Sequence, residues 1–295
     1  MIRHVFGLTA LIMIAAPAAA VGADVQHLNG KVSVLIGTSS NVLILPGNEG
    51  VLIVDDQRRS DFKETLDGVR AVSPLPVRTV IDTHWHLDHS GGNAAFAAAG
   101  ARIVAQRNVL ARRSADQYMA AYKVHIPADP PAARPTIIFD KRKSFRIGSE
   151  TVELRHVAKA HTDGDTLVRF RNANVIGMGD VFFNHIFPFI DRSSDGTIQG
   201  MITGVETALR LGNRETKFVP AHGPVASRDE LRAYRDMLRD VMNRVRSEMR
   251  AGRTLEQIVA SHPAAAYRQG MDGDEDRFVE AVYGSLKDEN LHHRL

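Results

Sequence analysis

The stretch "IDTHWHLDHSGGN", residues 81–93, decides how this chain is read, because it places His84, His86, Asp88 and His89 within six positions. It follows "VRTV", a run with the β-branched character of a strand. In extended backbone alternate side chains project to the same side, so His84 and His86 can converge on one point. Asp88 and His89 lie further round the turn and can face a second point a few Å away. A hydrogen-bonded polar loop accounts for one histidine and has no need of H-x-H-x-D-H, whereas imidazoles and a carboxylate at this spacing are a ligand set for metal ions. Four ligands do not complete two ions, so more must come from elsewhere in the chain.

Working outward, other apolar runs stop on the same residue types. "KAHTDGDTLV" (159–168) offers His161 between two strands, "VIGMGDVFF" (175–183) offers Asp180, and "KFVPAHGPV" (217–225) offers His222. Any one of these alone reads as an ordinary loop residue satisfied by hydrogen bonds, but together they place ligands at several strand ends. The chain has no cysteine, which excludes a disulfide framework, a thiolate metal ligand and a Cys nucleophile. Every metal ligand must therefore be His, Asp or Glu. His4, His27, His125, His156, His262, His292 and His293 fit no metal spacing.

Between these points the pattern alternates strands and helices. "KVSVLIG", "NVLILPG" and "GVLIVDD" read as consecutive strands separated by Gly, Asn and Pro, followed by a helix over 58–72. "NAAFAAAG" reads as a short helix closed by Gly100, "ARIVA" as a strand, and "NVLARRSADQYMAAY" (108–122) as a further helix. The Pro-rich stretch 126–135 is a connection. Strands return over 136–178, so strands followed by helices recur twice, which suggests two sheets packed face to face with helices outside. "SRDE" (227–230) is a capping box that opens a helix with an apolar stripe of Leu231, Tyr234, Leu238, Val241, Val245 and Met249, stopped at Gly252. Arg228, Arg232, Arg235, Arg239 and Arg246 lie off that stripe and read as a solvated face. Two shorter helices are expected near 254–261 and 275–286.

The chain's 295 residues, 44% hydrophobic and 24% charged, suit one globular domain. Its start has a basic head at Arg3, an apolar run from Val5 to Ala16 and small residues before Ala20 and Ala23, which reads as a secretory signal peptide over 1–23. The expectation is a periplasmic or secreted protein, not inserted in a membrane once the signal is cut after Ala20 or Ala23. The domain would then span 24–295, its helical C-terminal extension beginning at about 227. A formal charge of +3 is too weak an excess to argue for nucleic acid, so a small-molecule substrate is expected and the oligomeric state is left open.

In its ordered His and Asp motifs the chain resembles the metallo-β-lactamase superfamily, from about Lys31 to Pro224. The resemblance implies an α+β fold, the four-layer αββα sandwich, with two metals at one edge. It implies that His84, His86 and His161 hold one ion, that Asp88, His89 and His222 hold the other, and that Asp180 bridges them. It implies too that Asp55 supports the metal loop by hydrogen bonding. Few carboxylates among neutral imidazoles suit two Zn2+, and Fe or Mn would tolerate the same ligands. Asp180 stands where class B β-lactamases carry a Cys ligand, which moves the site toward the glyoxalase II and lactonase arrangement.

The expected chemistry is hydrolysis, in which two zinc ions sharing a water lower its pKa from near 16 toward about 7 and the hydroxide attacks a carbonyl carbon. Asp88 would orient that hydroxide or accept its proton. β-Lactam or lactone ring opening is favoured; a thioesterase of glyoxalase II type is one alternative, and a di-iron oxidoreductase or sulfur dioxygenase on the same scaffold is another. "FFNHIFPFID" (182–191) suggests a substrate wall of Phe182, Phe183, Phe187 and Phe189 with Asn184 and His185 as polar contacts. Trp85, set between two ligands, is a further pocket candidate, and the loops 122–135 and 183–194 would set the substrate.

Overall fold

The computed structural model describes residues 24–292, so the expected signal peptide lies outside the described residues. Val, Ile and Leu dominate the first strands, and they alternate between two apolar environments. β1 (Val25–Asn29), β2 (Val32–Leu35), β3 (Val42–Pro46) and β4 (Val51–Val54) form an antiparallel meander. α1 (Phe62–Val72) leads into β5 (Val77–Ile81), which runs parallel to β4. After α2 (Leu87–Ser90) and α3 (Asn93–Ala98), β6 (Arg102–Gln106) pairs in parallel with β5. Next come α4 (Arg107–Arg113) and a separate hairpin of β7 (Gln117–Met119) and β8 (Val124–Ile126). β9 (Ile137–Phe139) then completes a seven-stranded sheet ordered β1-β2-β3-β4-β5-β6-β9.

The second sheet has five strands in chain order. β10 (Arg142–Ile147), β11 (Glu150–His156), β12 (Thr166–Phe170) and β13 (Val175–Phe183) are antiparallel, and after α5 (Ile198–Leu211), β14 (Lys217–His222) adds in parallel to β13. α6 (Arg228–Arg250), α7 (Leu255–Ala260) and α8 (Glu275–His292) follow. The strand period of two sorts the side chains into layers. Val32, Val34, Leu43, Leu45, Leu52 and Val54 face Val152, Leu154, Val168 and Phe170 across the two sheets. Leu35, Val42, Ile44, Val51 and Ile53 face outward under α1 and α3, against Val69 and Phe96. The outer face of the second sheet is covered by α5, α6 and α8 through Ile202, Val205, Leu231, Leu238, Phe278 and Val282. These four layers are an αββα sandwich, the α+β class expected.

Ser227 accepts a hydrogen bond from the Glu230 amide (3.3 Å) and Glu230 accepts one from the Ser227 amide (2.7 Å), so α6 starts on the capping box read from the sequence. Its arginines are engaged within the chain. Arg228 donates to the carbonyls of Leu209 and Gly212 at the end of α5, Arg239 pairs with Glu206 and Arg246 with Glu289.

The helix expected over 108–122 ends at Arg113, and the rest of that stretch enters the β7–β8 hairpin. The amide of Gln117 donates to the carbonyls of Arg112, Ala115 and Asp116, satisfying groups that another helical turn would have used. Arg113 is buried against Asp129, which anchors the return of the chain. α5 has a signal that the strand-end pattern does not contain: Thr197 caps the Gly200 amide, and Met201, Ile202, Val205, Ala208 and Leu209 recur at helical spacing.

One irregularity places a functional residue. The register of β13 on β14 runs from Gly177 opposite Val219 to Gly179 opposite Pro220, so one extra residue is accommodated at Gly179, whose φ is +51°. Such a bulge re-aims the following side chain, here Asp180. A Cβ on Gly179 would lie 2.8 Å from both Cβ and Oγ1 of Thr83. Gly179→Ala is therefore expected to lose about 1–3 kcal/mol through strain at positive φ and this clash. Urea unfolding of metal-free protein measures it; a loss within error of zero would mean that the bulge relaxes freely.

Candidate metal centre

β5 carries the chain out of the first sheet at Ile81, and the segment beyond it is fixed by Asp55 at the end of β4. Asp55, held at φ +63°, accepts hydrogen bonds from the Thr83 amide (2.7 Å) and hydroxyl (2.9 Å). Its Oδ2 also meets His89 Nδ1 at 2.9 Å. That contact directs the other ring nitrogen of His89 inward and fixes its tautomer. Two further imidazoles are oriented in the same way. His86 Nε2 lies 3.0 Å from Asp191 Oδ2, and His161 Nδ1 lies 2.7 Å from the carbonyl oxygen of Phe189.

The inward atoms fall into two groups. One ligand atom each from His84, His86, His161 and Asp180 lie within 4.8 Å of one another, as do those of Asp88, His89 and His222. Asp180 stands between them: its Oδ2 is 3.3 Å from His161 Nε2 and 3.9 Å from His84 Nε2, and its Oδ1 is 3.4 Å from Nε2 of both His89 and His222. Asp88 Oδ2 closes the second group at 3.5 Å from His89 Nε2 and 3.4 Å from His222 Nε2. All seven expected ligands are thus brought together from the segment that follows β5, from α2, β13 and β14, and from the loop that follows β11.

The cluster fits metal ions on three grounds. His84 Nε2, His89 Nε2 and Asp180 Oδ1 are buried and have no hydrogen-bond partner among the described residues, a loss of about 1–3 kcal/mol for each such atom unless something else binds it. Spacings of 3.3–3.9 Å around Asp180 suit two donors on one ion, since bonds of about 2.0–2.1 Å at a tetrahedral angle put donors about 3.3 Å apart. The donor set of imidazole nitrogen and carboxylate oxygen suits zinc, iron or manganese.

Electrostatics divides the histidines. Burial pushes His84 well below the ordinary imidazole range, helped by His89 and His161, and burial brings His161 down to about 4, so both present neutral nitrogens. For His89 and His222 burial acts in the same direction but is outweighed. Asp180, Asp88 and Asp55 hold His89 well above its usual value, and Asp180 with Asp88 pushes His222 up to about 9. Burial would raise Asp88 and Asp180, yet the surrounding imidazoles hold both carboxyls well below the usual range.

The cluster floors a cleft of about 1170 Å3. Phe183, Phe187 and Phe189 line it as expected, and Phe183 stacks on His222 with ring centroids 5.6 Å apart. Four pocket expectations are corrected. Phe182 is fully buried and packs against Tyr234 of α6, because successive side chains of β13 point to opposite faces of the sheet. Trp85 is 1% exposed, packs with Ala105, Val109 and Ile126, and donates from Nε1 to Ser194 Oγ, because burying its large apolar ring in that separate cluster is favourable. Asn184 is buried and latches the His222 turn, its amide nitrogen donating to the Pro224 carbonyl and its backbone N–H to that of His222. His185, at φ +62°, is exposed and does not line the cleft.

Several supporting residues were not legible as such. Asp191 binds His86 and also accepts from the hydroxyls of Ser193 and Ser194, so Trp85, Ser194, Asp191 and His86 form one chain of hydrogen bonds. Its only signal was a carboxylate closing the "FFNHIFPFID" stretch. Asn41, on β3, donates to the carbonyls of Pro220 and Gly223 and so ties the first sheet to the His222 turn.

A four-layer sandwich with seven His and Asp donors gathered in two adjoining groups at one edge fits a metal-binding protein. The chain belongs to the metallo-beta-lactamase superfamily, whose family model matches residues 32–243. It is 29% identical over 163 residues to 2,4-dinitroanisole O-demethylase subunit alpha of Nocardioides sp. (strain JS1661), covering 54% of this chain and 46% of that protein. The chain thus matches about half the length of that relative. Among solved structures, a stereoselective inverting sec-alkylsulfatase from Pseudomonas sp. is similar with a TM-score of 0.68 at 19% identity, over 92% of this chain and 52% of that one. A metallo-beta-lactamase from Pontibacter korlensis has a TM-score of 0.60 at 19% identity, over 74% of this chain and 99% of that one. These two likenesses show the fold.

Two outcomes test the centre. Metal uptake at pH 7 should release the protons held by His89 and His222, and apparent affinity should rise as pH increases toward about 9, because deprotonated imidazole is the ligand. Calorimetry in two buffers of different ionisation enthalpy counts these protons; none released would contradict the assignment. Asp191→Asn should weaken the binding of one ion about 10–100-fold while leaving the fold intact, measured by competition with a chromogenic chelator.

Proposed function

We propose that the chain is an exported, metal-dependent hydrolase that cleaves a carbonyl compound, with lactone or β-lactam ring opening as the leading reaction. The observation that carries this reading is that the ligand cluster forms the floor of an open cleft. Asp88 and His222 are its partly exposed members, with side chains 22% and 24% accessible, while the other five are almost fully covered. A structural metal site is closed on all sides, whereas a catalytic one keeps a face open to substrate.

His84, His86 and His161 would hold one ion and Asp88, His89 and His222 the other, with Asp180 between them. Two divalent ions bound there supply Lewis acidity and lower the pKa of water toward about 7. The protein's own groups supply position and polarity. Asp88 stays ionised beside His89 and His222, so its carboxylate suits accepting a hydrogen bond from an attacking water and orienting it. Phe183 covers one face of His222 and excludes water from that side. Because Asp180 stands where class B β-lactamases carry a Cys ligand and would lie between the two ions, the reading leans toward esters and lactones over β-lactams. Export rests on the sequence of residues 1–23 alone.

Likeness to the O-demethylase subunit supports a second reading, cleavage of an aryl ether at carbon–oxygen. The test is a screen of metal-loaded protein against a chromogenic cephalosporin, a lactone, a thioester and 2,4-dinitroanisole, with chelated protein in parallel. Turnover of a lactone or cephalosporin that chelation abolishes is the expected result. Turnover of 2,4-dinitroanisole alone favours the second reading, and a fully metal-loaded protein that cleaves none of the four sinks the hydrolase assignment. Metal analysis separates zinc hydrolysis from the di-iron oxidoreductase alternative.

A further inference from the structure

The large hydrophobic side chains exposed among the described residues are Leu87, Tyr118, Tyr122 and Val124. Leu87, Tyr122 and Val124 line the cleft above the ligand cluster, and Tyr118 lies on the same β7–β8 hairpin that carries Val124. Among the described residues the other large hydrophobic side chains are buried or partly buried, so this exposure in one place marks a surface kept for an apolar partner. Met119 and Phe189 extend the same wall. The cavity, at about 1170 Å3, exceeds the 300–1,000 Å3 typical of small-molecule sites, and a short ester would leave most of the wall uncovered.

The hairpin is held over the metal ligands by a run of ring contacts. Arg277 of α8 lies over the Tyr122 ring at 4.5 Å, Tyr122 meets Phe189 edge-on at 5.2 Å, and Phe189 lies 5.5 Å from the His161 ring and 6.1 Å from that of His86. An apolar chain attached to a group at the ligand cluster would therefore run along a wall continuous with the ligands themselves. A second copy of the protein or a membrane surface would not use that continuity.

Building on the hydrolase reading, we infer that the substrate carries a long apolar chain, roughly eight carbons or more, which lies against Tyr122, Val124 and Phe189 while its scissile group sits at the ligand cluster. The experiment uses metal-loaded full-length protein and 4-nitrophenyl esters from butanoate to decanoate. kcat/KM should rise about threefold for each added CH2, and the slope should fall to less than half in the Tyr122→Ser/Val124→Ser double variant and return in Tyr122→Phe/Val124→Leu. A flat or falling series in the wild type, or an unchanged slope in the double variant, overturns the inference.

If no ester is cleaved, the lactone, cephalosporin and thioester screen decides the hydrolase reading separately, and binding decides the wall. Calorimetry of sodium decanoate against sodium butanoate should show decanoate binding at least about fiftyfold tighter, and equal affinities overturn the inference. A dimer that the double variant dissolves while the decanoate preference persists unchanged would also overturn it, by assigning Tyr122 and Val124 to contact between copies.

Discussion

The structure depends on one electrostatic constraint: imidazoles and carboxylates from four separate segments are buried facing one another, with several of their donor atoms lacking a hydrogen-bond partner among the described residues. Such a cluster is costly without ions, since like-charged imidazoles repel and desolvated carboxylates need counter-charge. Burial favours neutral His84 and His161, while Asp180 and Asp88 favour a proton on His89 and on His222. Metal ions would replace those protons. The fold therefore acts as a frame that holds mutually unfavourable groups at ligand spacing, and the strength of the frame sets how closely that spacing is kept.

The frame is built from hydrogen bonds one shell out, and each takes a backbone feature that hydrophobic sequence pattern does not encode. Asp55 reaches both Thr83 and His89 because it turns at positive φ at the end of β4. Asp180 reaches both ligand groups because the register slips at Gly179. Asp191 reaches His86 because the loop after β13 folds back over the sheet edge. Local sequence and tertiary position agree at these points, which is what makes a single arrangement of the ligands favourable.

This division also explains what could be read from residues alone. Most of these residues lie at or just beyond strand ends, so His84, His86, His161 and His222 carry a local signal, a polar, metal-capable side chain where an apolar run stops; Asp180, expected just after a strand, lies within β13, which continues through Phe183 past the bulge at Gly179. The alternation that made the strands visible also decided the layers, with Leu43 and Val42 facing opposite cores. The pocket was less legible because it is set by which way loops fold. Trp85 sits between two ligands in sequence yet points into a separate apolar cluster, and Asn184 and His185 shape the His222 turn or face solvent without lining the cleft. The hairpin read as helix shows the same limit, since Gln117 ends α4 through carbonyl contacts that depend on the fold already being present.

Arg277 belongs to α8, beyond residue 243 where the family match ends, yet it clamps Tyr122 above the metal ligands. The ligand cluster and the rim of the cleft above it are thus contributed by different stretches of the polypeptide. Exchanging or remodelling the terminal helix would change the mouth of the cleft while leaving its floor in place.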